Sequence, residues 1–405
     1  MKIKKNVNYF YEADANSLHS WEIKSGYGGP YKMRKHWIDN LRWTTVLLVL
    51  LYHVIYYYNN KGVFGGIGGF GEFPEVQQYQ DILMYIVYPW FMPLMFILAG
   101  ISARYSLQNK TGKEWFRTRT RKLLVPGTIG LFVFHWMIGY FNAIPAGTVV
   151  GDLPMPVKYS IYAVSGTGPL WFIQLLWLLS LVLLLIRKAD AKDKMWNRCG
   201  NCNIIVILLL GILFWLGEQT LVKNPRPDSA DGLLNLYKPV FYLISFLLGY
   251  FVFSHDEVQE KLRDKWIELM ACALSWGVVL IIMTWGENNT SPEYMGSPLN
   301  SIYGWLMCLA MMGWFNAKFD CTNGFSQYMT RTSYGLYIVH YLVVASLGYM
   351  MKTYTQLPPV AIYLILTVAV FTLSPLIYEV LHRIPFIRWC VFGEKKSDRN
   401  KSVVH

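Results

Sequence analysis

The sequence predicts an all-α integral membrane protein that crosses the bilayer about ten times, with both termini in the cytosol. Three observations predict it. The 405 residues are 54% hydrophobic and 15% charged, too apolar for a domain whose whole surface faces water. Ten stretches approach the roughly 20 apolar residues that a spanning helix needs. Finally, Lys and Arg are concentrated in alternate loops.

The ten stretches are 41–58, 82–103, 123–141, 169–186, 203–219, 236–253, 267–285, 299–316, 332–351 and 359–381. Lys2, Lys4, Lys5, Lys24, Lys32, Arg34, Lys35 and Arg42 precede or open the first, and only Lys61 lies in the loop after it. The next loop holds Arg104, Lys110, Lys113, Arg117, Arg119, Arg121 and Lys122, and the one after that only Lys158. Over the chain, one set of alternate flanks carries 31 of the 37 Lys and Arg and the other carries 6. That is the positive-inside asymmetry of a chain with cytosolic ends. The net charge of +12 is therefore a topology signal, and no nucleic-acid partner is expected.

Residues 1–38 read as a cytosolic polar arm, 39–382 as the membrane domain and 383–405 as a basic cytosolic tail. The arm lacks an apolar core long enough for a cleavable signal, so the first helix is expected to direct insertion. Gly62, Gly65, Gly66, Gly68, Gly69 and Gly71 form a glycine-rich first outer loop. A phosphate cradle would need a strand-to-helix context, so the expectation is a flexible loop. The stretches 142–168 and 218–235 also have loop composition. No soluble domain is expected between or after the helices, so chemistry is expected within the bundle. Cys199 and Cys202 form a lone C-x-x-C without two more ligands or a thioredoxin-like context nearby, so neither a metal site nor a redox role is expected.

An ionisable side chain in hydrocarbon costs roughly 2.5 to 3.5 kcal/mol on insertion scales and by default lines a cavity or serves function. His53, His135 and His340 qualify. Arg42 and His53 are eleven residues apart, which at about 100° per residue returns within roughly 20° of three full turns. Both point the same way, about 16 Å apart along the axis, with Arg42 at the cytosolic boundary and His53 near mid-membrane. Asp39, one turn before Arg42, can pair with it. The cationic run Arg117 to Lys122 ahead of Pro126 suits either anion binding or orientation, with a kink expected at the proline. Ser333, Tyr337 and His340 share one helix face. Such a stripe suits helix-to-helix adhesion or the wall of a cavity.

Trp37-Ile-Asp39-Asn-Leu-Arg42-Trp running on to Tyr52-His53 resembles the opening of integral-membrane acyltransferase family 3, whose signature is an Arg and a His with ten residues between them. Phe91-Met-Pro93-Leu-Met-Phe-Ile-Leu-Ala-Gly100, Gly168-Pro169-Leu-Trp171-Phe172 and Ser333-Tyr334-Gly335-Leu-Tyr337-Ile-Val-His340 extend the resemblance over nearly the whole membrane domain. One departure concerns the Arg-x-x-Arg pair that the family carries before a proline. Here Arg119 with Lys122 keeps the spacing but puts a point charge where a planar fork would stand, while Arg117 with Arg121 keeps two arginines at a spacing of four.

The resemblance implies an O-acyltransferase of the bacterial cytoplasmic membrane. It would carry an acyl group, commonly acetyl, from cytosolic acyl-coenzyme A to a hydroxyl of an envelope glycan or a small-molecule acceptor. Acyl-CoA would be a co-substrate, with no permanently bound cofactor and no metal. His53 becomes the general base, an acyl-histidine relay being the alternative, and Arg42, held by Asp39 at the cytosolic end of the same face, is grouped with it while meeting the donor phosphates. Arg119 and Lys122, or Arg117 and Arg121, would hold the donor phosphates. His340, Tyr337, Ser333 and Trp171 would position the acceptor or stabilise the oxyanion. The rival from another class is a transporter or flippase of an envelope precursor, although no repeat links 39–217 with 236–381.

Overall fold

The computed structural model describes residues 34–59, 66–70, 81–144, 151, 153–223 and 230–394. Of the arm, only 34–38 falls among them. Gly62, Gly65 and Gly71 of the first outer loop and 395–405 of the tail lie outside the described residues.

Every regular element among the described residues is helical. The principal helices are α1 (His36–Tyr56), α2 (Ile82–Gln108), α3 (Gly112–Ala143), α4 (Met155–Ser165), α5 (Gly168–Ala189), α6 (Ile204–Glu218), α7 (Leu234–Phe251), α8 (Trp266–Thr284), α9 (Pro298–Lys318), α10 (Gly324–Tyr354) and α11 (Pro359–His382). Eight of them, all but α4, α6 and α9, are long and apolar enough to cross a membrane. The chain is a multi-pass membrane protein. Apolar α6 is shorter, and α9 has 21 residues but carries Asn300, Ser301, Asn316 and Lys318.

Caps and prolines account for the helix boundaries that differ from expectation. α3 starts at Gly112 because Thr111 closes a capping box: its hydroxyl accepts from the Glu114 amide at 3.3 Å, and the Glu114 carboxylate accepts from the Thr111 amide at 3.1 Å. Pro126 offers no N–H to the Lys122 carbonyl four residues earlier. The helix opens into a π-helical turn over Thr120–Leu124, and the Tyr334 hydroxyl of α10 donates to the Lys122 carbonyl. The kink expected at Pro126 thus takes the form of a widened turn tied to α10.

The loop expected across 142–168 contains α4, which packs on α3. A Cβ on Gly139 would meet the Tyr162 carbonyl oxygen at 1.7 Å, so only glycine allows that approach. In α7 the helix breaks at Lys238, with φ 41° and ψ 53°. Pro239 disfavours the right-handed helical region for the residue before it, and Lys238 takes the left-handed one.

α2 and α7 cross where Gly100 faces the Phe246 carbonyl and Gly249 faces that of Ile97; a Cβ on either would lie 2.1 Å from the oxygen. Small residues allow this backbone approach in a membrane. Helix α1 is fixed at both ends. Near its start, the Asn40 amide donates to the Phe319 and Cys321 carbonyls at 2.7 and 2.8 Å. Beyond its end, the Tyr57 and Tyr58 hydroxyls donate to the α10 carbonyls of Ala345 and Gly348, both at 2.9 Å.

The described part of the glycine-rich loop is held down, contrary to the flexible loop expected. Lys352 Nζ donates to the carbonyls of Ile67, Gly68 and Gly69 at 2.9, 2.5 and 2.8 Å. Its three donors match three carbonyls that side-chain-free backbone leaves open.

Candidate active site

α1 and α10 bring His53 and His340 together, with His340 Nε2 3.1 Å from His53 Nδ1. Their neighbours fix the tautomers. His340 Nδ1 faces only carbonyls, Tyr337 at 2.8 Å and Leu336 at 3.3 Å, so it carries the hydrogen and Nε2 is the acceptor. His53 Nδ1 lies between that acceptor and the Val49 carbonyl at 2.9 Å, so it too is an N–H. The lone pair of neutral His53 is therefore on Nε2, which has no hydrogen-bond partner among the described residues.

The His53 ring stands edge-on to Tyr52, Tyr56 and Tyr341 at centroid distances of 5.7, 5.9 and 5.1 Å. Tyr52 is buried while His53 and Tyr56 are half-buried. His53 lies in the last turn of α1, three residues from its end. The helix begins at His36, before the apolar stretch, where Trp37 and Asn40 are anchored to the chain between α9 and α10.

On the same face toward the start of α1, Arg42 donates to Asp39 at 3.1 Å and to the Ser102 hydroxyl of α2 at 2.6 Å. Asp39 also accepts from Arg34 at 2.7 Å, so one carboxylate serves two guanidinium groups.

Arg119 comes within electrostatic range of Arg42, and Lys122 within range of Arg119. Arg119 lies 4.8 Å over the Trp115 ring and has no carboxylate partner among the described residues. Arg121 is directed elsewhere: its Nε donates to the Gly393 carbonyl at 3.1 Å. Arg117 lines a separate cavity of about 560 Å³ with Lys113, Phe116, Leu184, Arg187 and Lys188. The neighbouring cations thus take different directions, Arg117 and Arg119 from the regular helix Gly112–Arg119 and Arg121 from the widened turn after it, and Arg119 is the one that approaches Arg42.

The remaining sequence-derived residues take different positions. The Tyr337 hydroxyl donates to the Pro169 carbonyl, joining α10 to the start of α5. Ser333 is buried seven residues before His340, roughly 10 Å lower along the helix, away from the histidine pair. The Trp171 ring packs on Tyr242 at 5.3 Å and its indole N–H has no partner among the described residues. His135, fully buried on the π-helical turn Leu131–His135, lies within electrostatic range of His340, with both ring nitrogens unpartnered among the described residues.

Sequence reasoning missed the tyrosine surround of His53 because each tyrosine, taken alone, reads as an apolar core residue. It also missed Lys238 and Glu218, although charges beside apolar runs are the signal that identified His53. Burial pushes the Cys199 and Cys202 thiols above their ordinary range, opposite to what a reactive or metal-binding thiolate needs. No group of metal-ligating side chains occurs among the described residues.

Comparison with known families matches the acyltransferase family 3 profile, described as an acyltransferase domain, over residues 35–379. The match spans more than half of the chain, which therefore belongs to this family of integral-membrane acyltransferases. No curated protein and no solved structure matches it.

Proposed function

From membership of that family, we propose that this chain transfers an acyl group, acetyl in the simplest case, from cytosolic acyl-CoA to a hydroxyl of an envelope carbohydrate. In this reading the bundle of 39–382 crosses the cytoplasmic membrane ten times, α6 and α9 included. The arm 1–38 and the tail 383–405 lie in the cytosol, as the 31 to 6 division of Lys and Arg requires. Arg42, Arg119 and Lys122 are then at the cytosolic mouth and hold the donor phosphates by charge-assisted hydrogen bonds. The pantetheine arm runs inward along the face that Arg42 and His53 share.

One observation carries the chemistry: the free Nε2 lone pair of His53, with its Nδ1–H held by His340. Nε2 takes the acceptor's hydroxyl proton as the oxygen attacks the thioester carbonyl carbon. The carbon–sulfur bond breaks, and the proton passes from His53 to the leaving thiolate, giving free coenzyme A and the O-acyl product. The His53 imidazolium formed on the way is stabilised through Nδ1–H and His340, whose own Nδ1–H is fixed by the Tyr337 carbonyl. His340 is a positioning residue here, and the Trp171 indole N–H is left as a donor for the oxyanion.

The test uses acyl-labelled acyl-CoA with the purified protein in liposomes. The label should move into a carbohydrate product, with one coenzyme A released per acyl group. A cargo that crosses the membrane chemically unchanged would establish the transporter reading instead.

A further inference from the structure

Four cations that the mechanism above does not use converge on one cavity. Lys113 and Arg117 of α3 and Arg187 and Lys188 of α5 line the space of about 560 Å³, and Phe116 and Leu184 supply its apolar walls. Arg42, Arg119 and Lys122 do not line it. None of the four forms an ion pair among the described residues. The carboxylates in the flanking turns are engaged elsewhere: Glu114 accepts from the Thr111 amide and hydroxyl at 3.1 and 2.9 Å, and Asp190 accepts from the Met195 amide at 3.1 Å. An orientation signal needs only the number of charges on one side of the membrane, to which Lys192, Lys194 and Arg198 also contribute. It does not require cations from two helices to face one cavity, where they repel each other until an anion is present.

The start of α3 and the end of α5 lie side by side and run antiparallel. A Cβ added to Gly112 would lie 3.4 Å from Leu184 Cδ2. Deeper along the pair, the Phe116 and Trp177 rings are 5.9 Å apart and the Trp177 indole N–H donates to the Thr120 hydroxyl at 3.2 Å. Deeper still, the Gln174 amide donates to the Gly127 carbonyl at 2.8 Å. Along α5, Trp177, Leu181, Leu184 and Lys188 follow at spacings of four, three and four, so they form one stripe that ends in a cation. Lys113, Phe116 and Arg117 share a face of α3 by the same rule. The groove between the helices is therefore cationic where α3 begins and α5 ends, and apolar below. Beside it, the outer side of α5 turns Leu178 and Leu185, 49% and 65% exposed, toward the hydrocarbon.

We propose that this cavity holds an anionic glycerophospholipid of the leaflet at which α3 begins and α5 ends, the cytosolic one in the topology above. Its phosphodiester lies among the four cations, and one acyl chain follows Phe116, Leu184, Leu181 and Trp177 into the membrane. The walls select an amphiphile. A soluble phosphate would meet cations on one side and a ring and methyl groups on the other, whereas a phospholipid matches both. Basic pockets between membrane helices take anionic headgroups in this way. The guanidinium forks of Arg117 and Arg187 suit bidentate contact with phosphate oxygens, and the two lysines add charge. The site is separate from the donor mouth, and the binding is independent of acyl transfer.

The experiment titrates the purified, delipidated full-length protein in detergent with phosphatidylglycerol or with phosphatidylcholine of the same acyl chains, and native mass spectrometry resolves each lipid adduct. Wild-type protein is compared with R117Q/R187Q and with K194Q/R198Q, which removes the same charge from the same side of the bundle outside the cavity. Wild-type protein should bind phosphatidylglycerol at least tenfold more tightly than phosphatidylcholine. A Lys or Arg at an anionic membrane surface contributes roughly fivefold, so R117Q/R187Q should weaken phosphatidylglycerol binding at least tenfold and leave phosphatidylcholine binding unchanged. K194Q/R198Q should change either by less than twofold. The single variant R187Q should give roughly a fivefold loss, and it decides the matter if the double variant fails to fold. In wild-type protein, excess glycerol 3-phosphate or coenzyme A should leave the bound lipid in place. No preference for phosphatidylglycerol in wild-type protein, no loss in R117Q/R187Q or R187Q, or equal losses in the two double variants would overturn the site. Displacement of the lipid by either soluble anion would also overturn it, assigning the cavity to that anion.

Discussion

The two ends of the Arg42–His53 face are built on opposite principles. At the mouth, Arg119 approaches Arg42 with no carboxylate of its own, and the single carboxylate of Asp39 is shared between Arg34 and Arg42. At the far end, every ring nitrogen of His53 and His340 but one has a partner among the described residues. In the proposed reading, the surplus of positive charge at the mouth receives the donor phosphates. The histidine pair is a set of fixed hydrogen bonds that leaves one lone pair free. On that reading, recognition and chemistry are separated along one helix face, the first by charge and the second by tautomer.

The largest effect expected is at the chemical end. His53→Ala should lower kcat by about 10²–10⁴-fold with membrane insertion and thermal midpoint near those of the wild type, measured by steady-state kinetics and a melting curve. A wild-type kcat would remove the base from the account. Next is its support. His340→Leu takes away the acceptor for His53 Nδ1–H, a hydrogen bond to a charged group worth about 1.5–3 kcal/mol. It should lower kcat by roughly tenfold to a hundredfold with donor KM unchanged, and a change confined to KM would move His340 to the binding side.

At the mouth, Arg119→Ala should raise the acyl-CoA KM about tenfold or more through loss of a charge-assisted hydrogen bond, with kcat little altered. Arg121→Ala, whose guanidinium is turned to the Gly393 carbonyl, should move that KM far less. Equal effects from the two would erase the distinction between the registers. The smallest effect belongs to the fold: Tyr334→Phe leaves the Lys122 carbonyl without its partner and should cost about 1 kcal/mol of stability, read as a lower thermal midpoint.

Much of this was legible in the sequence, and what was not has physical causes. The shared face of Arg42 and His53 follows from helical periodicity alone, and the Asp39 contact follows from one-turn spacing. The contact between His53 and His340 spans 287 residues of sequence, and no local pattern reports it. Arg117 and Arg119 lie in the same regular helical turn, two residues and about 200° apart, so local periodicity separates them but does not say which of them meets Arg42 across the bundle. Helix α4 was concealed in a stretch rich in Pro and Gly: Pro154 and Pro156 stand at its start, where proline is tolerated, and Gly166 at its end. Lys238 and Glu218 were visible as ionisable residues at the edges of apolar runs, but only the fold shows that both are buried.

The most direct test of the division between the two ends is a single-turnover acyl-transfer experiment across a wide range of acyl-CoA concentration, run on Arg119→Ala and His53→Ala side by side. The account predicts that Arg119→Ala reaches the wild-type rate once the donor is saturating, while His53→Ala stays slow at every concentration. A His53→Ala protein rescued by excess donor, or an Arg119→Ala protein that stays slow at saturation, would contradict it.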